Sequence, residues 1–142
     1  MAQILVQARI VTVRLWKGGR QLRVLLVLKS MLETLCYIRT IEFYGGIVVG
    51  QAARPSTALE AAIKHMPDVA LIGTSLWDGT DGIDAASLLR AAFNMPIVFC
   101  SDGDPQDADR VANFGGAQLL TAPVLAEDLT SALLIACAQG DH

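Results

Sequence analysis

A chain of 142 residues with 53% hydrophobic and 18% charged residues is long enough to close one core and too short for two ordinary domains. Its formal charge of -3 offers no basic field for nucleic acid, and no apolar run approaches the ~20 residues a membrane helix needs. The N-terminus lacks the charged, apolar and small-residue succession of a secretory leader, so the expected compartment is the cytoplasm.

Residues 1–22 read as a segment apart. Val11, Val13 and Leu15 alternate with Thr12 and Arg14 as in a half-buried strand, and Lys17, Gly18, Gly19 and Arg20 make a turn or linker. The segment suits an extra edge strand, a contact for a partner chain or an unpaired tail; some ordered structure is favoured, because an exposed strand of this pattern invites aggregation. From Arg23 the pattern turns regular, which gives an N-terminal extension over 1–22 and one domain over 23–142.

Residues 24–28, VLLVL, form an apolar strand, and 31–43 a helix with Met31, Leu35, Ile38 and Ile41 near helical spacing. Gly45 and Gly46 end it before a strand at 47–49. Pro55 opens a helix carrying Ala58, Ala61, Ala62 and His65, which Pro67 stops. A wholly apolar strand at 69–72 then breaks into a loop rich in Gly and Asp. Such a strand is central in a parallel sheet, with its functional end at the C-terminal edge. The residue on that edge, Gly73, carries no side chain.

Asp81 caps the next helix, Asp84 favours its positive end, and Ile83, Ala86, Leu89 and Phe93 mark its buried face. Pro96 opens a strand at 97–100. Asp104 and Pro105 start a short helix over 106–114, closed by Gly115 and Gly116, and 119–120 is a fifth strand. A last helix over 125–138 buries Leu129, Ala132, Leu133, Ala136 and Cys137. Five strand–helix repeats with short connections imply an α/β fold: a doubly wound, five-stranded parallel sheet in three α/β/α layers. Cys36, Cys100 and Cys137 have neither metal-ligand nor redox-motif spacing and read as buried thiols in a reducing compartment.

Three stretches, PDVALIGTSLWDGTDGI (67–83), MPIVFCSDGD (95–104) and GGAQLLTAPV (115–124), resemble the third-, fourth- and fifth-strand motifs of response-regulator receiver domains. The resemblance to this flavodoxin-like, CheY-like family runs over residues 23–138. It implies phosphoryl transfer from a partner kinase to an aspartate ending the third strand. Mg²⁺ is held there by that aspartate and an acidic pair after the first strand, and a hydroxyl and a lysine read the phosphate.

Carried onto this sequence, the resemblance places Gly73 at the acceptor, Leu28 and Lys29 at the acidic pair, and Ala122, before Pro123, at the lysine. Leu119 stands where the family has a switching aromatic, and Ser101 alone matches, at the hydroxyl. The implication is a degenerate pseudo-receiver: not an enzyme, without cofactor or metal, acting by protein–protein contact on a sensor kinase, phosphotransferase or another regulator protein. Family analogy also implies a homodimer or partner face around Asp107, Val111, Phe114, Leu119, Thr121, Leu125 and Leu129, and gives no role to nucleic acid or membrane. Two rivals stay open: a sensor of a small ligand or anion at the vacated strand ends, and a receiver still competent through another acid such as Asp78.

Single residues also carry two readings. Lys29 pairs with Asp102 or Asp78 in the vacated pocket, or points to solvent. Ser101 binds an anion or satisfies its loop. Asp102 and Asp104 offer oxygens to a cation or form the turn. Trp77 contacts a partner or lies over a neighbouring helix. His65 faces the negative end of its helix as a structural residue, and Gly45, Gly46 and Gly50 do not space as a dinucleotide phosphate loop.

Overall fold

Stretches that are apolar on both faces can be buried on both faces, and in the computed structural model, which describes residues 13–140, they form one sheet. A short antiparallel hairpin, β1 (Trp16–Lys17) and β2 (Arg20–Gln21), comes first. The alternation then runs β3 (Arg23–Val27), α1 (Met31–Phe43), β4 (Ile47–Ala52), α2 (Pro55–His65), β5 (Val69–Gly73), α3 (Gly82–Phe93), β6 (Ile97–Ser101), α4 (Pro105–Phe114), β7 (Gln118–Thr121) and α5 (Ala126–Gly140). The five strands β3 to β7 lie in the spatial order β4-β3-β5-β6-β7 with every neighbouring pair parallel. This is the doubly wound, flavodoxin-like arrangement that the sequence predicts.

Alternate residues of a strand face opposite sides, so the sheet sorts its side chains into two cores. Val24, Leu26, Val69, Leu71 and Val98 meet Tyr37 and Ile41 of α1 and Leu129, Leu133 and Cys137 of α5. Leu25, Val27, Ile72 and Phe99 meet Ala58 and Ala62 of α2, Ala86 and Leu89 of α3 and Val111 of α4. Each fully buried Leu, Ile or Phe contributes ~1.5–3 kcal/mol relative to exposure, so these layers carry most of the fold's driving force. Helix starts are fixed by side chains: Ser30, Asp81 and Asp104 accept from the backbone N–H groups of Glu33, Ile83 and Gln106. Among the described residues no helix is long and apolar enough to cross a membrane.

Residues 13–22 pack onto this unit. Leu15 and Leu22 are fully buried in the α1/α5 core; the Leu15 N–H donates to the Tyr44 carbonyl and the Ile47 N–H to the Leu22 carbonyl. The expected turn at 17–20 is the hairpin tip, where Gly18 and Gly19 take φ of 61° and 79°. Of the strand expected around Val11 to Leu15, Val11 and Thr12 lie outside the described residues, and 13–15 are not strand. The hairpin is clasped from below by Asp68, which accepts from Arg20 Nη2 at 2.7 Å, Arg20 Nη1 at 2.9 Å and the Arg23 N–H at 2.8 Å. Burial works to raise the Asp68 carboxyl, but the hydrogen bonds from Arg20 and Arg23 and the charge of Arg20 outweigh it and hold it below its ordinary range.

Two expectations are corrected. α1 buries Thr34, Tyr37 and Ile41, leaving Met31 and Leu35 exposed. Met31 and Leu35 flank the buried side, while Ile38 is half-buried and packs against the α1/α5 core. Cys36, in line with Leu32 and Phe43 on the side of α1 opposite Tyr37 and Ile41, is exposed, whereas Cys100 and Cys137 are buried.

Candidate functional site

The chain leaves β3 to one side for β4 and then crosses to β5 on the other, so the crevice of this sheet opens at the C-terminal ends of β3 and β5. Leu28, Lys29 and Gly73 do converge there. With Glu33, Thr74, Ser75, Cys100 and Asp102 they line a cavity of about 10 Å³. That is room for about one water, and too little for a phosphoryl group. Of the two partners expected for Lys29, Asp102 is the one in reach, at 3.8 Å from Nζ, with the two side chains 46% and 69% exposed. A pair so open to water stabilises by ~0–1 kcal/mol.

The loop after β5 folds back over the strand end. Ser75 bridges Asp81, and the Gly82 N–H donates to the Thr74 carbonyl. The two glycines of this turn differ. A Cβ on Gly82 would lie 1.8 Å from the Gly73 carbonyl oxygen, so only glycine fits. A Cβ on Gly73 would meet Ser75 O at 3.4 Å and Leu28 Cδ2 at 3.5 Å, which is ordinary contact. Packing therefore does not require the missing side chain at 73.

Beside the cavity is a network that the sequence reading did not assemble. The Ser101 hydroxyl donates to Asp107 Oδ2 at 2.6 Å, and the Thr74 hydroxyl donates to the same oxygen at 2.6 Å. Arg110 donates to Asp107 Oδ1 at 2.9 Å and reaches Asp81 with its other terminal nitrogen. Ser101 Oγ also accepts the Gly103 N–H at 3.0 Å. Asp107, on α4, thus ties together the loops after β5 and β6, and Arg110 extends the tie to the start of α3. Burial pushes the Asp107 carboxyl up, but the two hydroxyls and the Arg110 charge outweigh it and hold it below the usual range. Ser101 is a loop-satisfying hydroxyl whose proton is committed.

Glu33, in the first turn of α1, also faces the cavity and accepts a long thiol contact from Cys100 at 3.7 Å. Burial, then the nearby Asp102 charge, raise its carboxyl. Burial likewise raises the Cys100 thiol, which leaves it un-ionised and unreactive. The three positions that the resemblance assigns to the metal offer Mg²⁺ no carboxylate. Gly73 offers no oxygen from a side chain, Leu28 is aliphatic and Lys29 brings a like charge; among the described residues no three His, Cys, Asp or Glu gather as metal ligands.

Ala122 is exposed at the end of β7, where its N–H donates to the Ser101 carbonyl, and the Ala122–Pro123 bond is cis. Asp104 caps α4 and is a turn residue, and the His65 carbonyl accepts from Arg23 at the foot of α2. Trp77, in a single 3₁₀ turn, is 57% exposed and borders an open groove of about 390 Å³ with Leu28, Met31 and Gln51.

The expected partner face is corrected. Asp107, Val111 and Leu129 are buried, because α4 lays its 107/111 side on the sheet and Leu129 fills the α5 core. Phe114 and Leu119 are half-buried; Phe114 lies edge-on to Phe99, with the Arg90 guanidinium 3.9 Å above its ring. Of the seven residues only Thr121 and Leu125 are exposed.

No family model and no curated protein matches this sequence. Solved structures do, and they define the class: the chain has the fold of response-regulator receiver domains. The signal receiver domain of a modulated diguanylate cyclase from Desulfovibrio desulfuricans G20 is 26% identical, with a TM-score of 0.77 over 85% of this chain and 97% of that one. The PhyR response regulator REC domain of Erythrobacter litoralis is 23% identical, with a TM-score of 0.75 over 84% of this chain and 92% of that one. The response regulator PhyR of Brucella abortus, 24% identical with a TM-score of 0.71, is matched over 97% of this chain and 54% of its own length.

Proposed function

We propose that this chain is a non-catalytic, phosphorylation-independent receiver-like module of two-component signalling that acts by protein–protein contact. The observation that carries the reading is the Asp107 carboxylate, which holds the Ser101 hydroxyl while Gly73 supplies no nucleophile. In the receiver fold a hydroxyl at this strand end is the group that turns toward a phosphoryl oxygen. Here an internal carboxylate accepts from it permanently, so the edge keeps one arrangement. The partners that fit are a sensor kinase, a phosphotransferase or another regulator protein that reads a receiver surface. An anion sensor at the vacated strand ends is disfavoured by the cavity of about 10 Å³.

Incubation with acetyl phosphate and Mg²⁺, followed by intact-protein mass measurement, tests this. The expected result is an unchanged mass. A stable phosphoryl adduct, abolished by Asp78→Asn, would overturn the reading in favour of a competent receiver.

A further inference from the structure

Single exposed apolar residues are normal on any surface, whereas a contiguous patch marks a contact. Of the thirteen large apolar residues exposed among the described residues, six fall on α1 and the segment before β2 that adjoins its end. The outer side of α1 shows Met31, Leu32, Leu35 and Phe43 at 67%, 73%, 50% and 71% exposure. Leu32, Cys36, Arg39 and Phe43 recur at steps of four, three and four, which places them in one line down the helix opposite the buried Thr34, Tyr37 and Ile41. Below Phe43 the line runs into an apolar recess of about 360 Å³ shared with Val13 and Trp16, themselves 38% and 42% exposed.

We propose that this face is where two copies of the chain associate, α1 packing against α1 in antiparallel fashion about a two-fold axis near the middle of the helix. The size of the patch is the first argument. At roughly 150–250 Å² for a large side chain, the exposed fractions of Val13, Trp16, Met31, Leu32, Leu35 and Phe43 leave roughly 700 Å² of apolar surface in water. The largest patch on an ordinary monomer is ~300–600 Å², and a standard interface takes ~800 Å² from each partner. The second argument is closure. An antiparallel two-fold sets Phe43 of each copy against Met31 and Leu32 of the other, so both ends of the stripe are covered at once and the assembly stops at two. Met, Phe, Trp and Arg are enriched at interface centres, and the line Leu32, Cys36, Arg39 and Phe43 carries no Lys, Glu or Asp.

The inference goes beyond the proposed function and does not depend on it, since association through α1 holds whether or not the chain accepts phosphate. The full chain is examined by sedimentation velocity at high micromolar concentration, together with Leu32→Glu/Phe43→Glu and, on the other side, Leu125→Glu. The expected masses are twice the 15.1 kDa chain for the native protein and for Leu125→Glu, and once for the double variant. All the substituted residues are exposed, and a thermal melt of the double variant within a few degrees of the native protein separates dissociation from unfolding. A native monomer overturns the proposal. A dimer that survives the double variant but not Leu125→Glu overturns it as well.

Discussion

Each end of the sheet is closed around one buried aspartate, and the two differ in what they hold. At the N-terminal end, Asp68 accepts a guanidinium fork from Arg20 and the Arg23 N–H. At the C-terminal end, Asp107 accepts two hydroxyls as well as Arg110. A guanidinium fork is a rigid clip for a carboxylate, whereas a hydroxyl is a rotor that serves whatever acceptor is nearest. The lower clasp is therefore plain support for the hairpin. The upper one commits two hydroxyls at neighbouring strand ends to one internal anion.

The most severe way to break the upper end is Gly82→Ala. Its methyl would sit against the Gly73 carbonyl, so the loop must shift, with an expected loss of ~3 kcal/mol or more in a urea titration. Gly73→Ala, one step away and sterically free, is expected to change stability by less than ~1 kcal/mol. Next comes Asp107→Ala, which leaves Thr74, Ser101 and Arg110 without their acceptor; the expected loss is ~2–4 kcal/mol. Asp68→Ala should lose less, ~1–3 kcal/mol, because the Arg20 side chain is 52% exposed and water replaces its partner.

Acid weakens both ends with the same sign. Both carboxyls lie below their ordinary range when folded, so their stabilisation is present above the unfolded value of ~3.9 and is lost as pH falls through the folded values. Denaturant midpoints are expected to drop below about pH 4, and Asp68→Asn and Asp107→Asn should each flatten that drop. The smallest effect is at Lys29. Reversal to Glu removes an exposed pair with Asp102 and is expected to cost about 0.5–1 kcal/mol in a thermal melt at low salt, vanishing at high salt.

The parts of the fold legible in the sequence are those written locally. Apolar runs marked the five strands, and Pro55, Pro67 and the glycines at 45 and 46 marked where helices begin and end. Asp81 and Asp104 announced their caps, and the span of α1 was read at 31–43. Strand ends then placed Leu28, Lys29 and Gly73 at one crevice. What the sequence concealed depends on contacts between distant segments. Thr74 and Asp107 are 33 positions apart, and an aspartate in the first turn of a helix looks like an exposed charge favouring the helix dipole. The only local hint was the i, i+3 pair of Asp107 and Arg110. Family analogy puts Val111 and Leu129 on a surface, although their own helices use them as core and the spacing of α5 already marks Leu129 as buried. α1 is apolar on more than one side, and periodicity alone does not say which side meets the sheet.

The central claim is that the C-terminal edge keeps one arrangement whatever phosphoryl-like ligand is offered. Amide spectra of the ¹⁵N-labelled chain with and without Mg²⁺ and beryllofluoride, a mimic of the phosphoryl group, test it most directly. The resonances of Thr74, Gly82, Ser101 and Gly103 are expected to stay in place. Saturable shifts of those four amides would contradict it.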